Sequence, residues 1–445
     1  MPSDIQRLLE KVIPFVVPAA AGVEARTSAW GDQTLRRSEQ AAIIFGSGNM
    51  TIGQAGIANF EAAVEALLRT QSVRRQWDAV EVWSIIASLA VACSFADDKK
   101  AAVAASLRRF RDGGRSLVVI PISNVTWSGA SERLPNSVVG PLTGDFTNDV
   151  IASGTPLESI NELAPLLVRE WLPKMKLRFS HAKIEPIFYA SLVDAFGSKS
   201  HRAAFENADN MLNLALLFTS APESQNIFAF RGPANRPGPR GISLDRATIQ
   251  DHLGSIASTE LNTEMLYISP IRVGTENRWY SADPFPLANV LRDPEVRSSV
   301  EANLIDIAPV PSRIRVAARS YSDAFWATSL NDSALRLGMA LDALVGATSG
   351  LPTRALAERF ALLDGDPAMR STRYASFQEY YGVRSAIAHG GKPSDVSHAF
   401  LTRILDDVRW VARRMERMQK LFAPKNESEV TEIFEGLRWG THSLV

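Results

Sequence analysis

The stretch Tyr380-Tyr381-Gly382-Val383-Arg384-Ser385-Ala386-Ile387-Ala388-His389-Gly390-Gly391 is the segment on which the fold of the last third of the chain turns. It reads as the end of a helix that stops at the double glycine. On that helix Tyr381, Ser385 and His389 follow one another at i, i+4 and i+8 and share a face, while Arg384 sits one position off the stripe. An arginine stem is long enough to bring its guanidinium round to the imidazole. His389 then lies at the helix end, beside two glycines that let backbone or ligand approach closely.

Outward from this stretch, helical signals dominate from Pro309 and Pro311 to the end of the chain. A first long helix is expected over 323–346, with Phe325, Leu330, Leu337, Leu341 and Leu344 among its apolar positions. Pro352 opens a second that runs to about Leu363 and is closed by residues 365–367. The third covers about 374–389. Pro393, Ser394 and Asp395 start a fourth that continues to about Phe422, and a short terminal helix follows over 427–437. Helices with such short connections pack naturally as an antiparallel bundle, assigned to residues 322–437.

The earlier part reads differently. Residues 1–150 mix helix (about 58–70 and 100–111) with a strand at 117–122 that follows the breakers Asp112, Gly113 and Gly114. Residues 151–311 form a mixed region continuous with the first or separate from it. Its strand candidates are 184–192, 227–230 and 265–273, and its helix is 202–218. The segment 231–241 is rich in Gly and Pro and is expected to be a loop. The fold class is therefore α+β, a mixed amino-terminal region followed by an all-helical bundle.

Composition narrows the function classes. The 48 basic and 48 acidic side chains cancel, which excludes a broad basic field that coats nucleic acid, so any polyanion site must be local. A single cysteine, Cys93, rules out an intramolecular disulfide, argues against a thiolate metal cluster and fits a reducing, cytoplasmic location. The apolar run 12–23 is interrupted by Pro14 and Pro18 and preceded by Glu10 and Lys11, so no signal peptide is assigned. The run 82–95 ends at Asp97, Asp98, Lys99 and Lys100, too short to span a membrane, and is expected to be a buried helix.

Arg384 and His389 are the pair with chemical reach. An imidazole exchanges protons near neutrality, and a guanidinium stays charged and pairs with phosphate. RNA carries its own nucleophile in the 2′-OH, so a proton-transfer group plus stabilisation of the charged phosphorane suffices, without a metal or other cofactor. The spacing alone is uninformative: with six histidines and 48 basic residues in 445, chance supplies at most about 0.65 such pairs. Arg246 and His252 nearly repeat it in another context. The competing reading makes His389 a helix-end histidine that complements the dipole, with Arg384 a surface ion-pair partner.

The wider pattern favours chemistry. An aromatic (Tyr381), an Arg-Ser pair (Arg384-Ser385), a small apolar spacer (Ala386-Ile387-Ala388) and His389-Gly390 resemble the Apea-like branch of the HEPN (higher eukaryotes and prokaryotes nucleotide-binding) families. Met339-Ala340-Leu341-Asp342-Ala343-Leu344 is similar to that family's earlier helix with its inward acidic residue, and Leu356-Ala357-Glu358-Arg359-Phe360-Ala361 to its middle helix. Asp342 stands where glutamate is commoner, and Ser385 where many active HEPN ribonucleases carry a charged or amide residue. The resemblance covers about 321–437. It implies a homodimer whose two Arg/His pairs meet in one composite cleft and cut RNA without metal, in a regulated toxin or antiphage defence effector. It also implies supporting roles for Asp342, Ser385 and Tyr381, and leaves the amino-terminal region to sense a trigger or regulatory partner. The alternative is a non-catalytic HEPN module for dimerisation or nucleotide binding in a larger assembly.

The remaining candidates have plainer readings. Arg413, Arg414, Arg417 and Lys420 cluster late in the fourth helix, where dipole and solvation account for them and RNA binding is the alternative. Arg231, Arg236 and Arg240 read as a solvated loop, with phosphate contact the alternative. The segment 45–53 lacks both the dinucleotide and the Walker-type spacing and reads as a turn. His181, His201, His398 and His442 lack metal-ligand spacing, so no metal site is expected.

Overall fold

The computed structural model describes residues 2–18, 54–77, 96–112, 116–123, 125–141, 187–193, 197–219, 285–327, 329–347, 350–391 and 396–444. It also describes 43–45, 50–52, 238–239, 266–268 and positions 79, 82, 86, 90, 93 and 94. The expected strand 227–230, most of the Gly/Pro-rich segment, the 246/252 pair and His181 lie outside these residues. The protein is α+β, mostly helical, and divides into two compact units.

The first unit comprises Met1–Val118, Ser191–Ala204 and Arg246–Ser269. Helix α1 (Pro2–Val12) leads through a 3-10 turn into β1 (Val16–Pro18), which joins β2 (Ile43–Phe45) and β3 (Met50–Ile52) in an antiparallel sheet with β3 central. Phe45 pairs with Met50 in the antiparallel register of β2 and β3, and residues 46–49, in the segment expected to be a turn, lie outside the described residues. Helices α2 (Gln54–Leu68), α3 (Gln71–Gln76) and α4 (Lys99–Asp112) follow. Ile5, Leu9 and Val12 on α1 meet Phe60, Ala63, Val64 and Leu67 on α2 in the core. Val82, Ile86, Ala90 and Cys93 are helical and buried in the same cluster, the stripe a core helix presents. Among the described residues no helix is long and apolar enough to cross a membrane.

The second unit comprises Val119–Ala190, Phe205–Asp245 and Pro270–Val445 and holds all or most of each of the sheet strands β4 (Ser116–Ser123), β5 (Glu132–Leu134), β6 (Ser137–Pro141), β7 (Ile187–Val193) and β8 (Gly238–Pro239), in the order β5-β6-β7-β4-β8. Strand β8 is a two-residue pairing inside the segment expected to be loop. Its proline is tolerated because the pairing is short and, along this path, terminal. Helix α5 (Gly197–Phe218) buries Ala208, Met211, Leu212, Ala215 and Leu217. The helical series follows as α6 (Leu287–Arg292), α7 (Pro294–Leu304), α8 (Pro309–Phe325), α9 (Leu330–Val345), α10 (Thr353–Leu362), α11 (Arg370–Ala388), α12 (His398–Phe422) and α13 (Glu427–Trp439). One apolar cluster runs from Ile122 to Leu444 through all of them. Arg292 and Arg297 clasp Glu132 at 3.0 and 2.8 Å and so fasten α6 and α7 to the β5 hairpin.

The helix expected over 323–346 is two helices. Asp323 belongs to the end of α8, and α9 restarts after Ser329, whose hydroxyl accepts from the Asp332 amide at 3.1 Å as an N-cap. Pro309 and Pro311 are the first turn of α8, where a missing amide hydrogen costs nothing. Elsewhere the expected ends hold to within a few residues: Pro352 caps α10, α11 ends at Ala388 and α12 at Phe422.

Helix α9 lies at the centre, packed on α8, α10, α11 and α12. Its carboxy-terminal carbonyls are buried and require donors. Two buried arginines supply them. Arg313 of α8 donates to the Leu344 carbonyl at 3.2 Å, and Arg359 of α10 to those of Val345 and Gly346 at 3.2 and 3.0 Å. Glu427 of α13 pairs with Arg313, Thr431 accepts from Arg359 at 3.1 Å, and the Phe434 ring lies 4.7 Å beneath the Arg359 guanidinium. Arg359→Ala leaves these carbonyls buried without partners and is expected to lower stability by about 2–4 kcal/mol. Arg359→Lys, which offers one point instead of a fork, is expected to recover only part of it. A denaturant midpoint unchanged in Arg359→Ala would refute this account of the α9 terminus.

Candidate functional site

Helix α11 buries only Phe377 and Tyr380 fully, and it is held by rings on one side and a polar network on the other. Phe377 packs against Phe360 with centroids 5.4 Å apart and stacks with Tyr381 at 6.3 Å. The Tyr380 hydroxyl donates to Asp407 of α12 at 2.7 Å, and Arg373 bridges Asp407 at 2.5 Å and Asp364 at 3.1 Å with its guanidinium 4.1 Å from the Trp410 ring. Burial pushes the Asp407 carboxyl up, and Tyr380 and Arg373 partly offset it. The Tyr380 phenol is driven well above its ordinary value, first by burial and then by its bond to Asp407. This network was not foreseen. Its directly bonded partners are up to 34 residues apart, and no local pattern announces that they face each other.

The fixed helix presents Arg384 to α9. An ion pair of 2.7 Å joins Arg384 Nη1 to Asp342 Oδ2, with the two side chains 25% and 26% exposed. The guanidinium also stands 5.2 Å from the Tyr381 ring centroid, a cation–π placement. The pair meets through a single contact rather than a fork: Arg384 Nε and Asp342 Oδ1 are both buried with no hydrogen-bond partner. Burial raises the Asp342 carboxyl above its usual value, and the attraction of Arg384 only partly counters it. Acid therefore protonates Asp342, and dissolves the ion pair, at a higher pH than an ordinary aspartate would require.

One residue that the sequence reading missed lies under the arginine. Gly338 is buried on α9, four residues before Asp342, and a Cβ built on it would stand 2.7 Å from Arg384 Cδ. The stem of Arg384 thus lies on bare helix backbone. The only sequence signal was a glycine inside an otherwise regular helical pattern.

His389 is the C-cap of α11 and is exposed, and among the described residues its ring has no hydrogen bond, ion pair or ring contact. The double glycine has a structural duty: Gly390 takes φ +73°, its amide donates to Ile387 at 3.0 Å, and the Gly391 amide donates to Ala386 at 2.8 Å. These are the two bonds of a Schellman motif. Ser385 and Tyr381, placed on one face with His389 by the sequence, are half-buried, and no hydrogen bond joins them among the described residues. Asp342 is paired with Arg384 and not with His389.

The late basic cluster of α12 is mostly engaged with the protein. Arg413 reaches the carbonyl of Phe218 at 3.4 Å and Glu295 at 3.6 Å, Arg414 the carbonyl of Leu444 at 3.3 Å, and Lys420 pairs with Glu416 at 3.0 Å. Arg417 is exposed. His442 stacks on Phe422 at 4.8 Å, a packing role. No protein-family model, no curated protein and no solved structure matches the chain.

Two glycines that bracket Arg384 separate conformational need from local habit. Gly390→Ala forces an L side chain into the left-handed region and is expected to cost about 1 kcal/mol. Gly382, exposed in the helix interior with open space where a Cβ would stand, is expected to gain roughly 0.5–1 kcal/mol on becoming alanine. Chemical denaturation of the two variants measures both, and equal effects would refute the assignment of the helix end.

Proposed function

We propose that the chain is a metal-independent endoribonuclease of the HEPN type, in which Arg384 binds the scissile phosphate and His389 exchanges the proton of the 2′-OH or of the departing 5′-oxygen. The observation that carries this reading is the state of the two side chains. Arg384 is anchored through Nη1 at Asp342, while its Nη2 makes no hydrogen bond among the described residues. His389 stands unpartnered and exposed at the end of the same helix. A fixed cation with an unclaimed donor and, five residues on, an imidazole open to solvent are the two kinds of group that phosphodiester transfer from an internal 2′-OH requires. Tyr381 backs the guanidinium, and Ser385 has a hydroxyl free for the RNA backbone.

Helix geometry adds the dimer to the proposal. Five residues along a helix advance about 7.5 Å and turn about 140°, so the two groups of one chain diverge around α11. A second copy that places its His389 opposite Arg384 completes the cleft. The alternative, a non-catalytic interaction module, draws on the same ion pair, because a half-buried Arg–Asp bridge between helices is also an ordinary structural device.

Incubation of the full chain with total RNA in EDTA separates the two. Cleavage is expected to leave 2′,3′-cyclic phosphate and 5′-hydroxyl ends, to vanish in Arg384→Ala and His389→Ala, and to weaken partly in Asp342→Asn. Light scattering at micromolar concentration is expected to give at least twice the 48.6 kDa chain mass. Products ending in 5′-phosphate, or an absolute need for magnesium, would overturn the scheme.

A further inference from the structure

Gly338 occupies the interior of a sixteen-residue helix, where glycine is destabilising relative to alanine. Its neighbour explains it. A Cβ at 338 would meet Arg384 Cδ at 2.7 Å and Arg384 Cβ and Cγ at 3.1 Å each, so three successive carbons of the arginine stem fill the space that a side chain would take. The ion pair beyond the stem is not at its own optimum. Arg384 Nε and Asp342 Oδ1 are both buried and unpartnered, although an arginine free to rotate would engage a carboxylate with both nitrogens of its fork. The stem packing, together with the ion pair to Asp342, therefore fixes the guanidinium.

We propose that Gly338 is a positioning residue: the notch it leaves in α9 seats the Arg384 stem and sets where the guanidinium, and with it the free Nη2, stands. The consequence for phosphodiester binding rests on the function proposed above; the positioning itself does not. Asp342 then pairs with the seated cation, and the Tyr381 ring stands 5.2 Å from it.

The test is a cycle of four full-length proteins: wild type, Gly338→Ala, Arg384→Ala and the double variant. With Arg384 present, Gly338→Ala is expected to lower the thermal midpoint and to raise the Asp342 carboxyl pKa, followed by carboxyl NMR, because the displaced guanidinium attracts the carboxylate less. With Arg384 removed the notch is empty. The same alanine is then expected to raise the midpoint by about 2–4 °C through helix propensity and to leave the Asp342 titration unmoved. A single variant that fails to fold while the double variant folds is the same reversal of sign. Equal midpoint shifts in both backgrounds, or an Asp342 titration indifferent to Gly338 beside an intact Arg384, would overturn the proposal. Where wild type cleaves RNA, Gly338→Ala is expected to lose on the order of 10²-fold in kcat, and full activity would also overturn it. If wild type does not cleave, the functional reading fails and the two physical readouts still decide the role of Gly338.

Discussion

The carbonyls at the end of α9 are the constraint from which the arrangement of the helices follows. A central helix that terminates inside a protein has several acceptors with no intrahelical donor, and burial without partners would cost more than the packing of the helix returns. Arg313 and Arg359 meet this demand from two flanking helices, and each arginine is in turn satisfied by α13 through Glu427 and Thr431. One helix end therefore specifies the placement of α8, α10 and α13 together. The two cations also lie where the negative end of the α9 dipole accumulates. Asp342 sits on that last turn, so the candidate site inherits its rigidity.

Much of the helical part was legible in the sequence because its punctuation is chemical. Pro352 and the pair Gly390-Gly391 mark ends by conformational preference, and the structure uses them so. The break between α8 and α9 was equally written, as Ser329 three residues before Asp332, but the apolar positions on either side continue the helical period and hid it. Periodicity reports a face to be buried and says nothing of whether one rod or two supply it. Polar contacts across the bundle, such as Arg373 with Asp407, or Arg313 with Glu427 in residues 114 apart, have no local signature at all.

The site was legible as a pattern of residues rather than as geometry. Arg384, His389 and Asp342 could be named because the residues around them resemble the Apea-like HEPN pattern; the Arg/His spacing alone would not have singled them out. The residue that shapes their arrangement, Gly338, could not, because its contribution is an absence of atoms. The structure also divides what the motif had joined. Arg384 is bound into the framework by its stem and its counter-charge, whereas His389 is attached to nothing but its own backbone. Such a pair sets a cation held in the framework against an imidazole exposed to solvent.

The turn after His389 sets a limit on the chemistry available there. Three consecutive peptide N–H groups, of His389, Gly390 and Gly391, already donate to the carbonyls of Ser385, Ile387 and Ala386. A glycine-rich helix end would ordinarily invite comparison with loops that cradle anions in their amides. Here every such proton is committed before a ligand arrives, to carbonyls of the last helical turn. Among the described residues this turn therefore holds no free backbone N–H for an anion beside His389, and any anion bound there must be held by other groups.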